Sequence, residues 1–212
     1  MPDSNEPKIV NSELRLTLSA IQQVIGEVSY RDIIKQLDFE IDLNNLPPDN
    51  GEFVFPAQDY AQLLERIETT YGSRGERILI RIGRSTFHQV LREEKNWMAT
   101  AQKSMALWKP ERRIGLILES INSSQQKIYP KNESWIESKG GQISLIEQNC
   151  HVCCDRKSST PVCFNKAGFL SEAVNWATGR EYDCLETACI ANGDPFCKFT
   201  IDKNSSRKES TR

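Results

Sequence analysis

The chain has 212 residues, 38% of them hydrophobic, with 27 basic against 29 acidic side chains and a formal net charge of −2. That length suits one domain with a short appendage, and the apolar share supports a packed core, which excludes disorder of the whole chain. A near-neutral balance gives no bulk electrostatic case for nucleic acid. No apolar run is long enough to span a bilayer, and the opening MPDSNEPK has no apolar h-region. The expectation is a cytoplasmic protein without a membrane span, with peripheral association to a membrane left open. Cysteines in that compartment are read as metal ligands or reactive thiols before disulfides.

In chain order, residues 1–10 are polar and read as frayed. Leu14, Leu18, Ile21 and Ile25 follow helical spacing up to Gly26, and a short second helix fits Tyr30 to Leu37. The stretch NNLPPDNG at 44–51 is a turn cluster. Tyr60, Leu63, Leu64 and Ile67 form a stripe stopped by Tyr71-Gly72, and Ile78, Leu79, Ile82, Phe87 and Val90 form another along 75–92. A further helix is expected over 98–121, with Pro110 as a kink or boundary. Strands are expected at 127–129, 134–136 and, beyond the Gly140-Gly141 turn, 142–146. Helices first and a small antiparallel sheet afterwards, interrupted by one helix, reads as α+β. The division expected is an N-terminal helix or extension at 1–29, a ligand-binding domain at 30–202 and a disordered, charged tail at 203–212.

All seven cysteines (150, 153, 154, 163, 184, 189 and 197) lie in the last third. Thr160-Pro161 reads as a helix start and Gly179 as its stop. Between them Cys163, Ala167, Leu170, Val174 and Ala177 form a buried stripe, with Cys163 on the first turn, where the helix dipole favours a thiolate. A hairpin follows, Tyr182 to Ile190 and Phe196 to Ile201, whose turn at 191–195 sets Cys189 opposite Cys197. Glu186 lies three residues before Cys189, so on a flat strand the two would face opposite ways. If both meet one ion, the strand must bulge or bend. The plain alternative is that each cysteine is a small buried hydrophobe.

These residues carry a resemblance. Pro161-Val162-Cys163, Gly168, Glu172-Ala173, Trp176, Gly179, Glu186-Thr187, Cys189 and Gly193-Asp194-Pro195-Phe196-Cys197-Lys198-Phe199 resemble the 4-vinyl-reductase domain family. That family includes bacteriochlorophyll-pathway proteins and sensor domains of aromatic-responsive bacterial regulators. Looser matches run upstream through Pro47-Pro48, Tyr71-Gly72 and Ile82-Gly83-Arg84. The resemblance implies a fold related to vesicle-tethering subunits, with an apolar chamber, often as a homodimer. It also implies a structural zinc held by three cysteines and a glutamate, a pattern that Cys163, Glu186, Cys189 and Cys197 reproduce at intervals of 23, three and eight residues. Such a set is full, so the zinc is structural rather than catalytic, and Lys198 or nearby N–H groups should offset its charge.

Cys150 and Cys153, in CHVCC, are left as a secondary metal site, a redox pair or neither. His151 reads as solvated and His88 as an ordinary core or surface residue. Trp97, Trp108 and Trp135 read as core before ligand platforms, and Arg112-Arg113 as a solvated face. Ala167 and Cys184 are small and are expected to line the chamber, which would then suit an apolar or tetrapyrrole-like ligand. The function expected is a zinc-stabilised small-molecule-binding module acting in signalling or pigment–protein assembly, with output through a protein partner. A tethering-type scaffold is the alternative. A reductase of chlorophyll precursors is disfavoured, because hydride transfer needs a nicotinamide or flavin and no dinucleotide fingerprint is present.

Overall fold

The protein is described from a computed structural model covering residues 6–93, 105 and 107–202. Its helices are α1 (Asn11–Ile25), α2 (Glu27–Ile34), α3 (Ala57–Tyr71), α4 (Gly75–Glu93), α5 (Pro110–Ile128) and α6 (Phe164–Thr178). Its strands are β1 (Lys8–Val10), β2 (Phe53–Pro56), β3 (Ser134–Lys139), β4 (Gln142–Glu147), β5 (Cys184–Ala188) and β6 (Cys197–Ile201). The class is α+β, as the sequence implies. β1 and β2 pair antiparallel, and the other four strands form an antiparallel sheet in the order β3-β4-β6-β5.

The apolar stripes become the core. Leu14, Leu18 and Ile21 of α1, Tyr60, Leu63, Leu64 and Ile67 of α3, and Leu79, Ile82 and Phe87 of α4 are all buried, together with Leu145 of β4 and Phe199 of β6 in one cluster. α6 is buried on nearly every side and crosses α4 at close range. The glycines make that crossing feasible. A Cβ on Gly83 would stand 1.8 Å from the carbonyl oxygen of Asn165, and one on Gly168 would stand 2.2 Å from that of Ile80. The backbones therefore touch where side chains normally intervene. This contact locks the start of α6, and with it Cys163, against the helical layer.

Several elements differ from expectation. Ile9 and Val10 are not frayed but form β1 and are almost fully buried, because β2 supplies a partner strand from beyond α2 that local polarity could not reveal. Residues 127–128 are helical rather than extended, since α5 runs on to Ile128 and Tyr129 turns its hydroxyl back to Val10 and Glu13. α5 begins at Pro110, so the proline is a boundary; the expected helical residues 98–104 fall outside the described segments, as do Trp97 and the tail at 203–212. α6 starts at Phe164, three residues after Pro161, with Cys163 as its N-cap. There the Cys163 N–H donates to Glu186 Oε2 at 2.7 Å, so a carboxylate from β5 caps the helix in place of Thr160.

Candidate metal centre and adjoining cavity

Four chain segments deliver the cysteines to one place. β4 pairs with β6 so that Glu147 stands opposite Cys197, and the chain leaving β4 turns at once through Cys150 and a single turn of 3-10 helix at His151–Cys153. The β5–β6 register shifts between Glu186 and Ala188, which is the bulge that the Glu186–Cys189 spacing demands. Asp194 then receives the Cys189 N–H at 2.8 Å, and the Cys189 carbonyl accepts from Asn192 and Asp194, which fixes the turn between Cys189 and Cys197.

The sulfurs lie close together: Cys150 to Cys163 is 3.8 Å, Cys153 to Cys197 is 3.5 Å, and Cys189 is 4.0 Å from both Cys163 and Cys197. Tetrahedral zinc with Zn–S bonds of about 2.3 Å requires S···S edges of about 3.8 Å. None of the seven cysteines is in a disulfide. Among the described residues two four-ligand groups fit an ion, each with its ligand atoms within 4.8 Å of one another. One is Cys163, Glu186, Cys189 and Cys197; the other is Cys150, Cys153, Cys163 and Cys197. The structure thus brings together the four residues implied by the resemblance and adds Cys150 and Cys153 to the same cluster. The non-local pairing of β4 with β6 makes that connection, and CHVCC alone carries no sign of it.

The donor chemistry fits a thiophilic divalent cation. Glu186 Oε1 is buried without a hydrogen-bond partner, and burial, only partly offset by the Cys163 N–H, pushes its carboxyl up to about 8. Burial and its thiol neighbours also push the Cys163 thiol well up, whereas hydrogen bonds from surrounding thiols lower Cys150. A cation would displace the protons shared within this group. The Ile190 N–H reaches Cys197 Sγ at 3.4 Å, a donor suited to a metal-bound thiolate. Lys198 does not serve that role: it alternates away from Cys197 and pairs with Glu137 at 2.5 Å. Lys166, on the first turn of α6, is the buried cation nearby, 2.5 Å from Glu147.

Beside the cluster opens a cavity of about 730 Å³, walled by Cys150, Cys153, His151, Tyr129, Phe53 and Ile190 among others. His151 is buried rather than solvated: its Nε2 lies 2.6 Å from Glu13 Oε1, and its ring stacks on Tyr129. Tyr129 donates to the other Glu13 oxygen at 2.5 Å. Burial alone would raise the Glu13 carboxyl, but His151, Tyr129 and Lys166 outweigh it and hold it at about 2. Glu13 and His151 are 138 residues apart, so no local signal could have paired them. Ala167 and Cys184 are both buried, and neither is among the residues lining this cavity. Ala167 lies beside the tight α4–α6 crossing, and Cys184 opens β5 at the end remote from Cys189, opposite Ile201. His88 sits on the exposed side of α4 beside Glu172, Trp135 edges onto Phe196, and Arg112 stacks over Trp108.

Comparisons with known proteins agree with this picture at two levels. Residues 145–203 match the family model of the 4-vinyl-reductase domain, which bears out the resemblance on the segment that holds the whole cysteine cluster. An uncharacterised protein of Methanocaldococcus jannaschii is 29% identical over 68 residues, covering 31% of this chain and only 30% of that relative. The fold over almost the full length is similar to H-NOX proteins. A point variant of the K. algicida protein in its unliganded Fe(II) form gives a TM-score of 0.62 at 17% identity, covering 94% of this chain and 98% of its own. The S. oneidensis protein in its Fe(II)NO state gives 0.55 at 11%, covering 89% and 97%. A third, from work on haem redox potential and porphyrin distortion, gives 0.56 at 10%, covering 91% and 98%. At such identities the likeness concerns the fold alone. It replaces the expected vesicle-tethering relationship, for which no support is found.

Proposed function

We propose that this protein is a small-molecule sensing domain whose 4-vinyl-reductase-like segment is held together by thiolate-bound metal, zinc being the cation that best suits the donors. The observation that carries the reading is the shared wall. Cys150 and Cys153 belong to the metal cluster and at the same time line a 730 Å³ cavity, so a ligand there would press on the segment that the metal orders. That volume falls in the range of ordinary ligand pockets.

An apolar ring compound is the ligand class we favour, with a tetrapyrrole as one candidate because H-NOX structures share the fold. The residues at hand do not extend that likeness to haem. The chain has two histidines. His88 is 53% exposed and paired with Glu172, and His151 has its Nε2 engaged by Glu13. We derive no step through an iron porphyrin. A binding role without catalysis is part of the proposal, since the cluster's ligand sets are full and would leave a bound cation no open position. Among the described residues no helix is long and apolar enough to cross a membrane.

The test is metal analysis joined to ligand titration. Protein prepared without chelator should contain zinc, and tetrapyrroles and smaller aromatic compounds should be titrated with melting temperature as readout. Binding that is lost on replacing Ile190→Trp, with metal retained, supports the cavity. Metal-free protein of unchanged stability would overturn the reading.

A further inference from the structure

We propose that the cluster is a binuclear centre, two zinc-class cations bridged by the thiolates of Cys163 and Cys197. The inference rests on the metal reading above and deepens it. Both four-ligand groups contain Cys163 and Cys197, and each group adds its own pair: Cys150 and Cys153 on one side, Glu186 and Cys189 on the other. Six ligands in which two are shared supply two complete tetrahedra.

The distances favour two ions over one. The edges Cys150–Cys163 (3.8 Å) and Cys153–Cys197 (3.5 Å) belong to one tetrahedron. The edges from Cys189 to Cys163 and to Cys197 (both 4.0 Å) belong to the other. All four lie near the edge of about 3.8 Å that zinc imposes on sulfur ligands. A lone ion held by Cys150, Cys153, Cys163 and Cys197 would leave Cys189 at bonding-edge distance from two ligands it does not serve. It would also leave Glu186 Oε1 buried with no partner. A lone ion in the other group would leave Cys150 and Cys153 as two idle buried thiols pressed against ligand sulfurs. The second ion satisfies every one of these groups.

Charge points the same way. Five thiolates and one carboxylate carry six negative charges, and two divalent cations reduce this to −2. One cation would neutralise only a single set of four and oblige the remaining pair to stay protonated in a buried site. On binding two ions, six protons leave the ligands for solvent, and no change of oxidation state is involved.

The experiment loads the full chain with the NMR-active cadmium isotope in place of zinc and counts ions by native mass spectrometry. Two ions per chain are expected. Two cadmium resonances should appear, each split by scalar coupling to the other, because only shared sulfurs transmit that coupling. Cys150→Ser with Cys153→Ser should remove one ion and leave a single unsplit line, and Glu186→Gln with Cys189→Ser should remove the other. The wild-type coupling stands as evidence even if a variant fails to fold. One ion and one line in the wild type, or two lines without mutual coupling, would overturn the binuclear centre while leaving a metal-stabilised domain intact. Absence of any bound ion would overturn the metal reading itself.

Discussion

Replacing Gly83 by alanine should destabilise the protein far more than a methyl group ordinarily does in a helix. The added Cβ would stand 1.8 Å from the Asn165 carbonyl oxygen and 2.7 Å from the Phe169 nitrogen, both backbone atoms that no rotamer change can move. Relief requires α4 and α6 to part by roughly 1.5 Å, and a gap of even 0.5–1 Å forfeits a quarter to a half of each dispersion contact across it. Overpacking typically costs 1–3 kcal/mol, so a clash of backbone on backbone should cost about 3 kcal/mol or more. For a chain of this size that lowers the melting temperature by about 6–12 °C. The control is Gly115→Ala on α5, where a Cβ meets nothing within 4 Å. That change removes only the entropic penalty of a helical glycine and should stabilise by about 0.5–1 kcal/mol. Circular-dichroism melts of the metal-loaded proteins check both signs. Equal melting temperatures for wild type and Gly83→Ala would refute the close crossing that positions Cys163.

Lys166→Met leaves the Glu147 carboxylate buried without its cation and should cost about 3–5 kcal/mol in urea titrations, with Lys166→Arg less harmful. Glu13→Gln should destabilise the protein by about 2 kcal/mol at neutral pH. The folded carboxyl sits at about 2, below its ordinary 4.5, so its contribution is present above 4.5 and is lost as pH falls toward 2. The gap between wild type and variant should therefore narrow across that interval, as chemical denaturation at several pH values would show. Stripping metal with a strong chelator should remove of order 10 kcal/mol of folding free energy from the C-terminal unit. Hydrogen exchange should then rise across residues 150–201 before it rises in α3 and α4.

Sequence periodicity is sufficient for the helices whose apolar faces repeat without interruption. Leu14–Leu18–Ile21 and Tyr60–Leu63–Leu64–Ile67 are buried as their spacing implies. It is also sufficient for the bulge, because Glu186 and Cys189 can meet one ion only if the strand departs from strict alternation, and the register shifts there. Local signals mislead where the deciding partner is distant. Thr160-Pro161 has the chemistry of a helix start, yet Glu186 of β5 caps the helix three residues later. CHVCC is ambiguous by itself because its partners, Cys163 and Cys197, come from another helix and another strand. His151 reads as solvated because Glu13 and Tyr129, which bury it, lie on segments before the sheet.

Anomalous diffraction at the zinc absorption edge, from crystals grown without chelator, tests the central claim most directly. The account predicts anomalous density among the cysteines, within about 2.4 Å of both Cys163 Sγ and Cys197 Sγ. Cysteine sulfurs at those positions with no anomalous density between them, or joined in disulfides, would contradict it.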